Sequence, residues 1–215
     1  MSNQISRIKI NKYFIRRVLI VILIIVLGFL GYIVINDSNN SNSYRKIYNI
    51  EVNKKTLREI GEDLNIQEVE YKWGGLLRGG NKPQRLVIHH AAADNLSPEE
   101  IHKMHLDRGW SGIGYHFYIR SDGTIYRGRD ENKVGSHVAG NNTNTLGICL
   151  EGNFQESGVS KKQLDALLNL GIYLCLKYDI SDILKHNDLL ATECPGRFFP
   201  FDSIKFAIIE KIKEK

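Results

Sequence analysis

The chain lacks an even set of cysteines. Its 215 residues hold three, Cys149, Cys175 and Cys194, so no fully paired disulfide framework can form. Cys149 lies in an apolar strand-like run and Cys175 in an apolar helical run, the usual settings of small buried hydrophobes. Cys194 instead sits in the loop-like stretch Thr192-Glu193-Cys194-Pro195-Gly196, where packing gives no reason for a thiol. Most of the chain also lacks a surplus of charge. The net charge is +5, but residues 1–46 carry seven basic and one acidic side chain, against 22 basic and 23 acidic in 47–215. A near-neutral body has no broad positive field for phosphates, so no nucleic-acid partner is expected. An internal repeat is missing too, and so is the His-Glu-x-x-His helix of zinc peptidases.

What the N-terminus has is a long apolar run. Val18 to Ile35 carries no charge. Eighteen helical residues span about 27 Å, close to the roughly 30 Å of a bilayer core. The run has no polar face, which argues against a buried helix of a soluble domain. Arg7, Lys9, Lys12, Arg16 and Arg17 precede it and Asn36-Asp37-Ser38-Asn39-Asn40-Ser41 follows. The positive-inside rule then keeps the N-terminus cytoplasmic. A cleaved signal peptide would have an apolar core of about 7–15 residues ending at a small-x-small site, and this run ends Gly-Tyr-Ile-Val-Ile-Asn. The expected organisation is a basic cytoplasmic tail at 1–17, a transmembrane helix at 18–35, a linker and stem at 36–70 and the main domain at 71–215. The protein is expected in the cell membrane as a single-pass chain, with its domain extracellular.

The remainder reads as an α/β domain. A short helix is expected near Lys54 to Leu64, with Leu57, Ile60 and Leu64 on one face. Arg85 to Ile88 is a short apolar strand ending at His89-His90. Ser97-Pro98-Glu99-Glu100 supplies an N-cap, a proline at the first helical position and a glutamate at the third, predicting a helix to about Asp107. Gly114–Arg120 and Thr124–Arg129 flank Ser121-Asp122-Gly123 as a hairpin. Leu146–Leu150 is a buried strand, Lys161–Tyr178 a long amphipathic helix, and Asp202–Lys213 a final helix. Strands interleaved with helices predict a single mixed β-sheet flanked by helices, preceded by the transmembrane helix.

All seven histidines fall between residues 89 and 186. His102, mid-helix, and His90, beside a better-placed neighbour, read as structural. His89 ends an apolar strand, where the side chains of an α/β sheet converge on a site. His186 and Cys194 bracket the loop Asn187–Glu193. Imidazole and thiolate are zinc ligand types, and three protein ligands leave a fourth position open. The His-x7-Cys spacing matches no finger pattern, so from the residues alone a metal site and separate structural roles both stand.

An ordered set of motifs adds to this. Leu86-Val-Ile-His-His-Ala-Ala, His105-Leu-Asp-Arg-Gly-Trp110, Ile113-Gly-Tyr-His-Phe117, Asp122-Gly-Thr, Gly128-Arg129, Val134-Gly-Ser-His137, Leu146-Gly-Ile, Gly152-Asn-Phe154, His186 and Thr192-Glu-Cys-Pro-Gly196 follow one another over about residues 71–201. The chain thereby resembles the type 2 N-acetylmuramoyl-L-alanine amidases, a family that includes phage lysozyme-type amidases and peptidoglycan recognition proteins. The resemblance implies peptidoglycan as partner and Zn2+ as cofactor, with ligands at His89, His186 and Cys194. It implies a catalytic tyrosine at Tyr115 and a second polar catalytic position at Thr192, where phage enzymes carry lysine. Some relatives have a glutamate where this chain has Cys149, which places this chain with the tyrosine-using branch.

The implied reaction is hydrolysis of the amide between the muramyl lactyl group and L-alanine. Tyr115 is expected to donate to the developing oxyanion or orient the water, with Thr192 as a further hydroxyl donor. His137, Asn141 and Asn153 are candidate groove residues for substrate, although polar residues in Gly-rich loops are also ordinary turn formers. His116 is expected to be structural and Trp110 to belong to the core. Two other functions remain for the same features: a peptidoglycan-binding module without catalysis, and a metallopeptidase cutting within the peptide stem.

Overall fold

The structure is a computed structural model that describes residues 57–213. The expected transmembrane helix at 18–35, the cytoplasmic tail and most of the linker lie outside the described residues. Among the described residues no helix is long and apolar enough to cross a membrane.

In chain order the elements are α1 (Leu57–Asp63), β1 (Arg85–His90), α2 (Pro98–Asp107), β2 (Phe117–Ile119), β3 (Ile125–Arg127), β4 (Thr145–Leu150), α3 (Lys161–Tyr178), β5 (Asp182–Lys185), a 3-10 turn (His186–Asp188) and α4 (Phe201–Lys213). One five-stranded sheet runs in the order β3-β2-β4-β1-β5. β1 pairs in parallel with β4 and β5, and β2 with β4, while β3 closes an antiparallel hairpin on β2. The expected single mixed sheet flanked by helices is therefore present. β1 and β4 lie at its centre and are buried almost throughout, as uninterrupted apolar strands of parallel sheets are.

Local chemistry sets the helix starts. Ser97 and Glu100 form a reciprocal capping box at the head of α2, and Ser160 with Gln163 does the same for α3. Each box satisfies two backbone donors that the first helical turn leaves free. α3 ends where Asp179 takes a left-handed conformation, φ 54°. Its buried face includes Leu164, Leu167, Leu168, Gly171 and Cys175, and it packs against both α1 and α4.

Register decides which side chains reach the site. His89 is the Cα partner of Cys149, and Cys149 of Tyr118. Register partners in a sheet point to one face, so these three form a row. Ile101 of α2 and Ile113 pack on the Cys149–Tyr118 part of it. His89 lies at the carboxyl end of β1, next to the loops that follow β4 and β5.

Several expectations change. The hairpin strands are three residues each rather than six or seven, because residues 114–116 run as irregular backbone fixed by loop contacts. β5 was not anticipated. Residues 57–70, expected as part of a stem, pack onto the domain. Gln67 donates its N–H to Ile125 and accepts from Arg127 N–H, both at 2.9 Å. Its backbone thus covers the outer edge of β3, an edge that unpaired would invite other strands. Trp110 is not in the core: it is 43% exposed, its ring 4.7 Å from that of His105 and under the Arg108 guanidinium. It follows the end of α2.

Candidate metal centre

Donor atoms of His89, His186 and Cys194 all lie within 4.8 Å of one another. Three separate segments bring them there. β1 delivers His89 in the sheet centre, where burial is almost complete. β5 pairs beside β1 and hands the chain into the 3-10 turn that opens at His186. The following loop folds back so that Asn187 N–H donates to the Cys194 carbonyl at 3.1 Å. Gly196 secures the far end of that loop. Its φ is +106°, and a Cβ there would sit 2.4 Å from the backbone carbon of Phe154, so no larger residue fits.

Cys194 Sγ lies 3.7 Å from His89 Nδ1 and accepts the His90 backbone N–H at 3.3 Å. The other His89 nitrogen, Nε2, is 3.0 Å from His137 Nδ1. His137 Nε2 is in turn 3.1 Å from the Thr145 hydroxyl. Burial holds the His89 and His137 imidazoles well below the usual histidine range, and each is pushed further down by neighbouring histidines. His186 is lowered by burial as well. All three rings are therefore neutral at physiological pH, the form that binds metal. Burial pushes the Cys194 thiol up to about 12, against a smaller lowering by the His90 N–H.

The donor set fits zinc. Two imidazoles and one sulfur are ligand types zinc takes, and three protein ligands are the number a catalytic site provides. His186 is only partly buried, unlike His89 and Cys194, so the cluster has an accessible side. Only the His90 backbone N–H favours a Cys194 thiolate among the described residues, and a divalent metal would supply the missing positive charge.

Tyr115 stands beside the cluster, its ring 5.2 Å from that of His89. Burial raises its hydroxyl well above the ordinary tyrosine range, reinforced by Cys149 and Cys194. The hydroxyl is thus a proton-bearing donor at neutral pH. Its backbone is gripped from behind. Arg129, itself buried, donates its backbone N–H to the Tyr115 carbonyl at 2.9 Å, while its guanidinium donates to the carbonyls of Ile113 and Val134 at 2.7 and 2.8 Å. Tyr115 lines a hollow of about 50 Å³ with Ala91, Leu96, Ile101, Met104, His105 and Arg108.

Thr192 is exposed, and its hydroxyl accepts the Cys194 N–H at 3.3 Å. It borders a different and larger cavity of about 560 Å³, together with Lys185, Asn187, Arg197 and Phe199. The three residues expected to contact substrate sit differently from one another. His137 is buried behind His89 instead of lining an open groove. The Asn141 carbonyl lies 3.3 Å from the Thr145 hydroxyl, within the turn beneath His137. Asn153 caps its own turn, accepting Gln155 N–H at 3.2 Å.

The histidines expected to be structural are so. His102 accepts Ile113 N–H and bonds the Lys72 carbonyl. His116 accepts Gly147 N–H and bonds the Lys133 carbonyl. His90 accepts Phe154 N–H. Missed in the sequence were Thr145 and Asn142. The Asn142 side-chain oxygen accepts the N–H groups of His137 and Val138 at 2.7 and 2.8 Å. Asparagine near the end of a Gly-rich loop was the only sequence signal.

With this geometry in place, the comparisons with known proteins are consistent with it. The N-acetylmuramoyl-L-alanine amidase family, Amidase_2, matches residues 79–197, and the chain belongs to that family. The endolysin of Enterobacteria phage T3 is 36% identical over 121 residues, 53% of this chain and 80% of that protein. The solved structure of the endolysin N-acetylmuramoyl-L-alanine amidase LysCS from Clostridium intestinale URNW shares 51% identity at a TM-score of 0.65, covering 66% of this chain and 93% of that one. Wild-type Drosophila PGRP-LB shares 30% identity at a TM-score of 0.58, covering 62% of this chain and 89% of that one.

Proposed function

We propose that this protein is a zinc-dependent N-acetylmuramoyl-L-alanine amidase, held at the outer face of the cell membrane by residues 18–35, which cleaves the bond between N-acetylmuramic acid and the L-alanine of the peptide stem. The observation that carries this is the meeting of His89, His186 and Cys194 within 4.8 Å, beside Tyr115, in a chain of this family. Membrane anchoring rests on the apolar run and its basic flank alone.

An unactivated amide needs a nucleophile and a polarised carbonyl. Bound zinc supplies Lewis acidity for both. The protein's own groups do the rest. The neutral imidazoles of His89 and His186 and the sulfur of Cys194 would hold the ion. Tyr115 keeps its proton and donates to the carbonyl oxygen as negative charge develops there, an interaction that strengthens in the transition state. Thr192 accepts the Cys194 N–H through oxygen, which leaves its hydrogen free to donate toward substrate. It lacks the positive charge of lysine, so its contribution is smaller than a lysine's.

The test is zinc content and wall lysis measured together. The wild-type chain should carry about one zinc and clear a suspension of purified cell walls, whereas Cys194→Ala should lose both. Lysis undiminished in Cys194→Ala would overturn the assignment. Wall binding without lysis in the wild-type chain would favour a binding module.

A further inference from the structure

The chain of contacts behind His89 has a direction, and that direction follows from the hydroxyl at its far end. The Thr145 oxygen lies 2.9 Å from the Asn142 carbonyl and 3.3 Å from the Asn141 carbonyl. Both are acceptors only, so the single hydroxyl hydrogen points to them. Towards His137 Nε2, at 3.1 Å, the same oxygen must accept. His137 Nε2 therefore carries the proton, and Nδ1 of that neutral ring is a lone pair. His89 Nε2, 3.0 Å from this lone pair, must then donate. Its proton sits on Nε2, and Nδ1, the nitrogen facing Cys194 Sγ at 3.7 Å, is left unprotonated.

We propose that His137, oriented by Thr145, is a positioning residue that fixes His89 in the Nε2–H tautomer and so reserves His89 Nδ1 for the metal. A metal-bound histidine ordinarily donates its second N–H to a carboxylate, a carbonyl or water; here the acceptor is another imidazole, uncharged and itself oriented. The surroundings hold that imidazole closely. Asn142 fixes its backbone. Gly147 makes room for the ring: a Cβ there would come within 2.6 Å of it. The sequence motifs containing Gly147 and His137 thus serve one arrangement. This rests on reading His89, His186 and Cys194 as the ligands.

Two measurements on the full-length chain in detergent test it. Long-range proton–nitrogen NMR correlations on the metal-free wild-type protein should show both His89 and His137 as Nε2–H tautomers. A His89 proton on Nδ1, or a fast mixture of tautomers, would overturn the proposal. This arm needs no metal, so it stands apart from failure of the zinc reading, which would appear as no zinc bound by wild type. The second arm is zinc affinity by chelator competition. His137→Phe should weaken binding by about 10–100-fold, and His137→Gln, which offers a carbonyl oxygen to His89, should recover part of that loss. Affinity within about twofold of wild type in His137→Phe, measured beside a His89→Ala control that loses zinc, would contradict it.

Discussion

At the scale of single residues, Tyr115 and Arg129 separate chemistry from support. Tyr115→Phe removes only the hydroxyl that donates beside the cluster. Loss of one such donor typically costs about 10²–10³ in kcat. The expected outcome in steady-state kinetics on a soluble muropeptide is a fall of that order in kcat with KM nearly unchanged and zinc retained. An equal loss in zinc content would mean that Tyr115 is structural. Arg129 acts through geometry. Its guanidinium bonds two carbonyls at once, which lysine, a single point donor, cannot reproduce. Arg129→Lys should lower both activity and the thermal midpoint, whereas Tyr115→Phe should leave the midpoint nearly in place. His89 and Cys194 were legible because their residue types and motifs point to metal. The role of His137 was not: its motif marked it as a groove candidate, and the contact with His89 joins residues 48 apart in sequence.

At the scale of elements, the sequence told most where its signals are local. The Ser97 capping box marked the start of α2, and continuous apolar runs marked β1 and β4. The cap of α3 gives a direct check. Ser160 accepts the Gln163 N–H and also donates to the Ser121 carbonyl. Ser160→Ala should therefore destabilise the domain by about 1–2 kcal/mol, read as a lowered urea midpoint at unchanged slope. β5 escaped notice for the opposite reason. Asp182-Ile-Leu-Lys is only four residues long and shows no alternation. It is a strand because β1, almost a hundred residues earlier in the chain, offers it an open edge. That pairing then sets His186 beside His89, so the least legible strand positions one of the three proposed ligands.

At the scale of the whole molecule, two properties follow. Buried neutral histidines tie stability to pH. Burial, with Arg108 and Arg129 adding to it, lowers His105 to about 4, and burial lowers His116 to about 4 despite its bond to the Lys133 carbonyl. Their unfolded forms titrate near 6.5, so below that pH the unfolded chain binds more protons. Their contribution is fully present above about pH 6.5 and is lost as pH falls toward 4. Urea unfolding of the metal-free protein should show a lower midpoint at pH 4.5 than at pH 7.5; an equal or higher one would refute this. The second is the proposed tether, which a truncation tests. Removing residues 1–46 should shift the protein from the membrane to the soluble fraction while wall lysis persists.

The central claim is the identity of the bond that is cut. Purified peptidoglycan digested with the wild-type chain and analysed by mass spectrometry should release stem peptides with free L-alanine amino termini and leave glycan strands bearing intact muramyl lactyl groups. New termini within the stem, with the muramyl–alanine amide intact, would contradict it.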